Sequence, residues 1–132
     1  MGLVVLDTDV WSYLYKADSR AQFYADYLTG KVAAISFQTV AELQYWAIFR
    51  KWGDSRLNDL TATLRRFTIL QSDDETATYW ASIRAQRAGL GRPIAAQDAW
   101  VAACAIRHHA PLMTHNAADY QDIDALQLIS MG

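Results

Sequence analysis

The chain has 132 residues, which suits one domain, and 52% of them are hydrophobic, which is ample for one packed core. Its formal net charge of −2 argues against a broad basic surface for long DNA, because backbone binding needs many Lys and Arg contacts. The single cysteine, Cys104, excludes an internal disulfide; within the small-residue run 102–106 it reads as a buried, unreactive thiol.

Residues 3–6 are a short apolar run rich in β-branched side chains and read as a buried strand. Asp7-Thr8-Asp9 breaks it, and 10–16 reads as a short helix with Asp7 or Asp9 as N-cap. A second helix is expected over 21–28, closed by Thr29-Gly30. A second strand follows at 32–35, and Ser36 is a good N-cap for a helix over 37–52 that Gly53 stops. Tyr45, Trp46, Phe49 and Trp52 share that helix, and most of the chain's aromatics are expected in the core. A helix over 55–66 leads to a third strand, 67–70.

Residues 73–88 form a long amphipathic helix with Ala77, Trp80, Ile83 and Arg87 at helical spacing; Gly89 and Gly91 end it. The helix over 95–109 is apolar almost all round, so it is expected to be central and buried. A fourth strand at 112–114, a loop over 115–124 and an edge strand within 126–129 complete the chain. Strands alternate with helices, which predicts one α/β domain over 1–132 with a mainly parallel sheet of four to five strands flanked by helices. No stretch approaches the roughly 18 apolar residues of a membrane span. The N-terminus has no basic n-region, so a cytoplasmic location is the expectation.

In an open parallel sheet the ligand crevice lies beyond the carboxyl ends of the strands. Asp7 follows the first strand, Asn116 and Asp119 follow the fourth, Glu42 lies about two turns into the helix after the second, and Asp98 opens the buried helix. All five can face one edge. Each has an ordinary structural use. Asp7 can cap a helix, Glu42 can close a capping box with Thr39, Asp98 can favour a helix dipole, and Asn116 and Asp119 can shape a turn. Capping does not explain why Asp98 opens a helix with almost no polar face, since a carboxylate near a core needs a partner. No lysine lies beyond Lys51. Hard oxygen ligands with few histidines suit Mg²⁺ or Mn²⁺ better than Zn²⁺. His108 and His109 lack ligand spacing and sit where a helix end favours cations. Arg84, Arg87 and Arg92 precede Asp98 and are candidates for phosphate contact, as are Thr8 and Thr114 beside the acids.

Four motifs in order resemble those of PIN-domain ribonucleases, and among them the toxins of VapBC-type toxin–antitoxin pairs. They are Leu6-Asp7-Thr8-Asp9-Val10, the segment from Ile35-Ser36 to Thr39-Val40-Ala41-Glu42-Leu43, the run 91–103 around Asp98, and Leu112-Met113-Thr114-His115-Asn116 continuing to Asp119. Three positions depart from the family pattern: Asp9 where Asn is more frequent, His115 where Arg is frequent, and Trp100 where an aliphatic is usual. The resemblance implies a three-layer sandwich and an endoribonuclease dependent on Mg²⁺ or Mn²⁺. Asp7, Glu42, Asp98 and Asn116 are the implied metal ligands, with Asp119 assisting. It also implies a homodimer, a cognate antitoxin that blocks the acidic site, and structured RNA targets such as tRNA or rRNA loops. Two other readings stay open. Leu6-Asp7-Thr8-Asp9 also resembles the Asp-x-Asp motif of haloacid-dehalogenase-like phosphatases, with Asp7 as nucleophile, but that chemistry expects a later Lys. The acids could also be caps in a non-catalytic interaction module.

Overall fold

The computed structural model describes residues 2–131. Five strands form one parallel sheet: β1 (Leu3–Leu6), β2 (Val32–Ser36), β3 (Thr68–Leu70), β4 (Leu112–Met113) and β5 (Leu128–Ile129). Their order is β3-β2-β1-β4-β5. Six helices connect them: α1 (Thr8–Tyr15), α2 (Ala21–Leu28), α3 (Phe37–Phe49), α4 (Asp54–Leu64), α5 (Asp74–Gly89) and α6 (Ala96–Arg107).

Side-chain alternation along the strands divides the core in two, because successive residues of a strand point to opposite faces. Val4, Leu6, Ile35 and Met113 pack with Val10 and Trp11 of α1, Tyr24 of α2, Ala47 of α3 and Leu60 and Leu64 of α4. Val5, Ala34, Leu70 and Leu112 pack with Ile83 of α5 and with Ala99 and Val101 of α6. The sheet is thus the middle layer of three, as expected from the sequence. Helix α6 is central as its composition requires, with Ala99 and the whole stretch 101–105 buried, Cys104 included.

Trp100 has a packing role. It stacks on Trp80 with centroids 5.0 Å apart and meets Phe37 edge-on at 5.5 Å, locking α6 to α5 and α3. The unusual size of this residue therefore fills the junction of three helices.

Several boundaries differ from expectation, and three differences have clear local reasons. Helix α3 ends at Phe49, three residues before position 52, because Lys51 adopts a left-handed φ of 57°. Gly53 then N-caps α4, so that helix begins at Asp54. The segment after β4 is not plain loop: Ala117–Tyr120 winds into a 3₁₀ helix. The aromatics of α3 also depart from the expected core placement. Tyr45, Trp46 and Phe49 are exposed, at 60%, 42% and 64%.

The chain builds β1, β2 and β3 in one direction and then crosses back to build β4 and β5 on the other side. The strand order therefore reverses between β1 and β4. That is the switch point at which a crevice opens beyond the carboxyl ends of parallel strands.

Candidate functional site

Asp7 and Thr114 stand side by side at that switch point. The register pairs Leu6 with Met113, and the Asp7 amide donates to the Met113 carbonyl at 2.8 Å. Asp7 is also the N-cap of α1, so its structural use and its place in the crevice coexist. Its carboxylate is held on both oxygens. The Thr8 amide donates to Oδ1 at 2.9 Å, while Thr114 Oγ1 and Tyr120 Oη donate to Oδ2 at 2.9 and 3.0 Å. Tyr120 Oη also lies 3.4 Å from Asp98 Oδ1.

Glu42 reaches the same place from α3. The capping box expected between Thr39 and Glu42 does not form. Ser36 is the N-cap, accepting from the Thr39 amide at 3.2 Å, and Glu42 falls within the helix body. Asp98 enters from the first turn of α6, whose N-cap, Ala95, supplies no side-chain hydrogen bond. Asp7, Thr8, Asp9, Glu42, Trp46, Asp98, Asn116 and Asp119 together line one open cavity of about 270 Å³. All five acids and amides expected at the sheet edge converge there.

No lysine or arginine lines this cavity, and the titration behaviour follows. Burial raises the Asp7 carboxyl above its ordinary value, against the hydrogen bonds it accepts and with a smaller contribution from Glu42. Burial, then the Asp7 charge, pushes Asp98 up to about 6, with Asp119 and Glu42 adding to it. Asp9 is also pushed up to about 6, by burial and then by Asp7. Like charges held together out of water disfavour one another's ionised forms.

Two members of the site were not singled out from the sequence. Asp9 accepts from the His115 amide at 3.1 Å and from Asn116 Nδ2 at 3.0 Å, which orients the Asn116 side chain. Only its membership of the Asp7-Thr8-Asp9 triplet marks it in the sequence. Tyr120 bridges Asp7 and Asp98, and nothing in its local sequence announces that.

Four of the expected substrate contacts lie outside the cavity lining. Arg87 is 6% exposed, and its guanidinium is committed: Nε donates to the Arg92 carbonyl at 2.7 Å, and Nη1 to the carbonyls of Asp119 and Gln121 at 3.1 and 3.0 Å. It fastens the Asp119 segment to α5 and is not available to phosphate. Thr114 is fully buried and holds Asp7. Arg92 is ion-paired with Asp122. Arg84 lies over the Trp80 ring at 5.2 Å, and neither it nor Arg92 lines the cavity. Thr8 does line it, with its hydroxyl 3.1 Å from that of Thr39.

As the side chains stand, no group of three or more His, Cys, Asp or Glu among the described residues is arranged to hold a metal ion. The donor chemistry nevertheless fits a hard divalent cation. The set is all oxygen, it is negatively charged, and no lining side chain offsets that charge. Mg²⁺ in particular keeps several waters and takes only one or two carboxylates directly, so it does not require three converged ligands.

The fold and the acidic crevice coincide with the comparisons. The model of the PIN domain matches residues 4–126; the chain belongs to the PIN domain family. It is 27% identical over 127 residues to Ribonuclease VapC1 of Haemophilus influenzae, covering 95% of each chain. It is 28% identical over 126 residues to the tRNA(fMet)-specific endonuclease VapC of Shigella flexneri, covering 93% of each. Among solved structures, VapBC2 from Rickettsia felis bound to a DNA fragment from their promoter matches with a TM-score of 0.86 at 25% identity, over 98% of this chain and 99% of that one. These relatives support the toxin endoribonuclease reading of the sequence. No helix among the described residues is long and apolar enough to cross a membrane.

Proposed function

We propose that this protein is a divalent-metal-dependent endoribonuclease, the toxin of a toxin–antitoxin pair, acting on structured RNA such as tRNA. The observation that carries the reading is the convergence of Asp7, Asp9, Glu42, Asp98 and Asp119 on one open cavity with no cation among its lining residues. A protein keeps such repulsion where it has a use for it. The relatives named as ribonucleases and the VapBC assembly lend support to the activity and to an antitoxin partner.

Asp7, Glu42 and Asp98 would hold Mg²⁺ or Mn²⁺, with Asn116 and Asp119 assisting directly or through water. When bound, the cation supplies acidified water and charge stabilisation for displacement at a phosphodiester. The chain's own residues do the positioning. Thr8, Thr114 and Tyr120 fix the Asp7 carboxylate, so ligation costs little reorganisation. Asp9 takes the amide N–H of Asn116, which leaves the Asn116 carbonyl oxygen as the group that can ligate or accept. Thr8, on the cavity wall, can donate to a phosphate oxygen. A homodimer and a cytoplasmic location belong to the same reading.

The phosphatase alternative loses its second requirement, since no lysine lines the cavity. The deciding experiment incubates the purified protein with total RNA in Mg²⁺, in Mn²⁺ and in EDTA, beside Asp98→Asn. Discrete fragments that vanish in EDTA and in the variant are expected, and their ends name the target. Metal binding without cleavage of any RNA would overturn the ribonuclease reading.

A further inference from the structure

Three consecutive residues after β4 hold the crevice carboxylates in place. Thr114 Oγ1 donates to Asp7 Oδ2 at 2.9 Å and accepts from the Asn116 amide at 3.1 Å. The His115 amide and Asn116 Nδ2 both donate to Asp9 Oδ2, at 3.1 and 3.0 Å. Segment 114–116 thus sets Asp7, Asp9 and the Asn116 side chain together. A small shift of it would disturb all three, because hydrogen bonds weaken steeply with distance and angle.

The group that fixes this segment lies outside the crevice. The His115 ring packs edge-on against Tyr13 at 5.3 Å and Tyr24 at 5.9 Å, and its Nδ1 is 2.7 Å from the Tyr24 hydroxyl. Tyr24 is on α2 and fully buried. Its hydroxyl also accepts from the Met131 amide at 3.0 Å and lies 3.4 Å from the Thr114 carbonyl. A phenol has one proton to give. His115 Nδ1 is much the nearer acceptor, so the proton goes there, and neutral His115 carries its own on Nε2. One buried hydroxyl therefore joins α2, the loop after β4 and the segment after β5. Away from water, a polar atom that loses such a partner finds no substitute. Neither Tyr24 nor His115 lines the acidic cavity, so both act on it through the loop.

We propose that Tyr24 is a positioning residue for the metal site: through His115 its hydroxyl holds segment 114–116, and with it Asp9 and Asn116, in place beside Asp7. This deepens the ribonuclease reading and rests on it for the use of the site. Its test rests on metal binding alone.

That test measures Mn²⁺ binding by calorimetry, and RNA cleavage separately, in the wild type, Tyr24→Phe, His115→Ala, the two combined, and His115→Asn. Tyr24→Phe keeps the buried ring and removes only the hydroxyl. Its Mn²⁺ affinity should fall roughly tenfold, the scale usual for a partner standing behind a ligand. His115→Ala, at a half-buried position, should lose about as much. The combined variant should lose no more than either, because both changes break the same link. His115→Asn puts an amide group near the place of Nδ1 and should recover most of the affinity. Tyr27→Phe, at an exposed tyrosine of the same helix, should bind as the wild type does. Melting in EDTA fixes a temperature at which every variant is folded, and there a merely structural role would leave the affinity unmoved. Unchanged Mn²⁺ affinity in Tyr24→Phe, or losses that multiply in the combined variant, would overturn the proposal. A wild type that binds Mn²⁺, with the expected losses in the variants, but cuts no RNA overturns the nuclease reading and leaves the positioning role standing. A wild type that takes up no Mn²⁺ overturns both.

Discussion

The Tyr120 hydroxyl donates to Asp7 Oδ2 at 3.0 Å, joining two residues 113 positions apart. Burial and the charges of Asp7 and Asp98 push the phenol far above its ordinary value, so it stays a proton donor at any working pH. It closes the crevice from the side of the 3₁₀ helix and holds the carboxylate that ends β1.

Removing that donor should loosen the site more than the fold. Tyr120→Phe keeps the ring in the core and loses one hydrogen bond, about 1 kcal/mol of stability. Partners of metal-ligating side chains are commonly worth 10- to 100-fold in metal affinity. The Mg²⁺ concentration giving half-maximal RNA cleavage should therefore rise by roughly tenfold or more. An unchanged Mg²⁺ requirement would remove Tyr120 from the site.

The acid cluster sets a pH dependence with a definite sign. Asp9 and Asp98 are pushed up to about 6, so the folded state holds protons that the unfolded chain releases near pH 4. The stability they contribute is present below about pH 4 and is lost as pH rises through about 6. Asp18 and Asp73 are displaced downward by Arg20 and Arg107, and their contribution is lost only as pH falls below about 4. Between those limits the raised pair decides. In EDTA the melting temperature should fall from about pH 4.5 to 7, and Mg²⁺ should restore it most at the upper end. A flat EDTA profile would mean that neither burial nor mutual repulsion displaces Asp9 and Asp98 upward.

Stability and activity should move in opposite directions in Asp98→Asn. The amide keeps the shape and removes one of the converging charges. The metal-free protein should melt a few degrees higher, since about 1 kcal/mol moves a domain of this size by roughly 3–5 °C. Cleavage should be lost. A variant that melts lower and still cuts RNA would reassign Asp98 as a structural residue of α6.

Much of this site could be read from the sequence because several of its side chains follow strand ends. Asp7 comes directly after β1 and Asn116 and Asp119 within a few residues of β4, and a parallel sheet brings all its carboxyl ends to one edge. Helix α6 was equally readable, since an apolar segment of that length has only the core to occupy. What could not be read was contact between distant segments. Tyr120 joins Asp7 and Asp98 through tertiary folding alone. Arg87 continues the inward stripe of α5, a pattern that marks the position but not what a buried guanidinium would find there. The α3 aromatics failed as core predictors because the helix packs through Val40, Leu43 and Ala47 and leaves Tyr45, Trp46 and Phe49 outside.

Arg87 gives the sharpest separation of fold from chemistry. Its guanidinium satisfies backbone carbonyls on two segments, Arg92 before α6 and Asp119 with Gln121 after β4. Arg87→Met preserves most of the apolar stem but leaves those carbonyls without their donor. Losing charged hydrogen bonds at a buried position should destabilise the protein by about 2–4 kcal/mol, read from the urea midpoint. Arg87→Lys should recover little, because one ammonium cannot replace a planar fork spanning two segments. Because Asp119 is released at the same time, cleavage measured well below the melting temperature should fall too, by more than the unfolded fraction accounts for. A variant with wild-type stability and reduced RNA affinity would instead return Arg87 to the role of a phosphate contact.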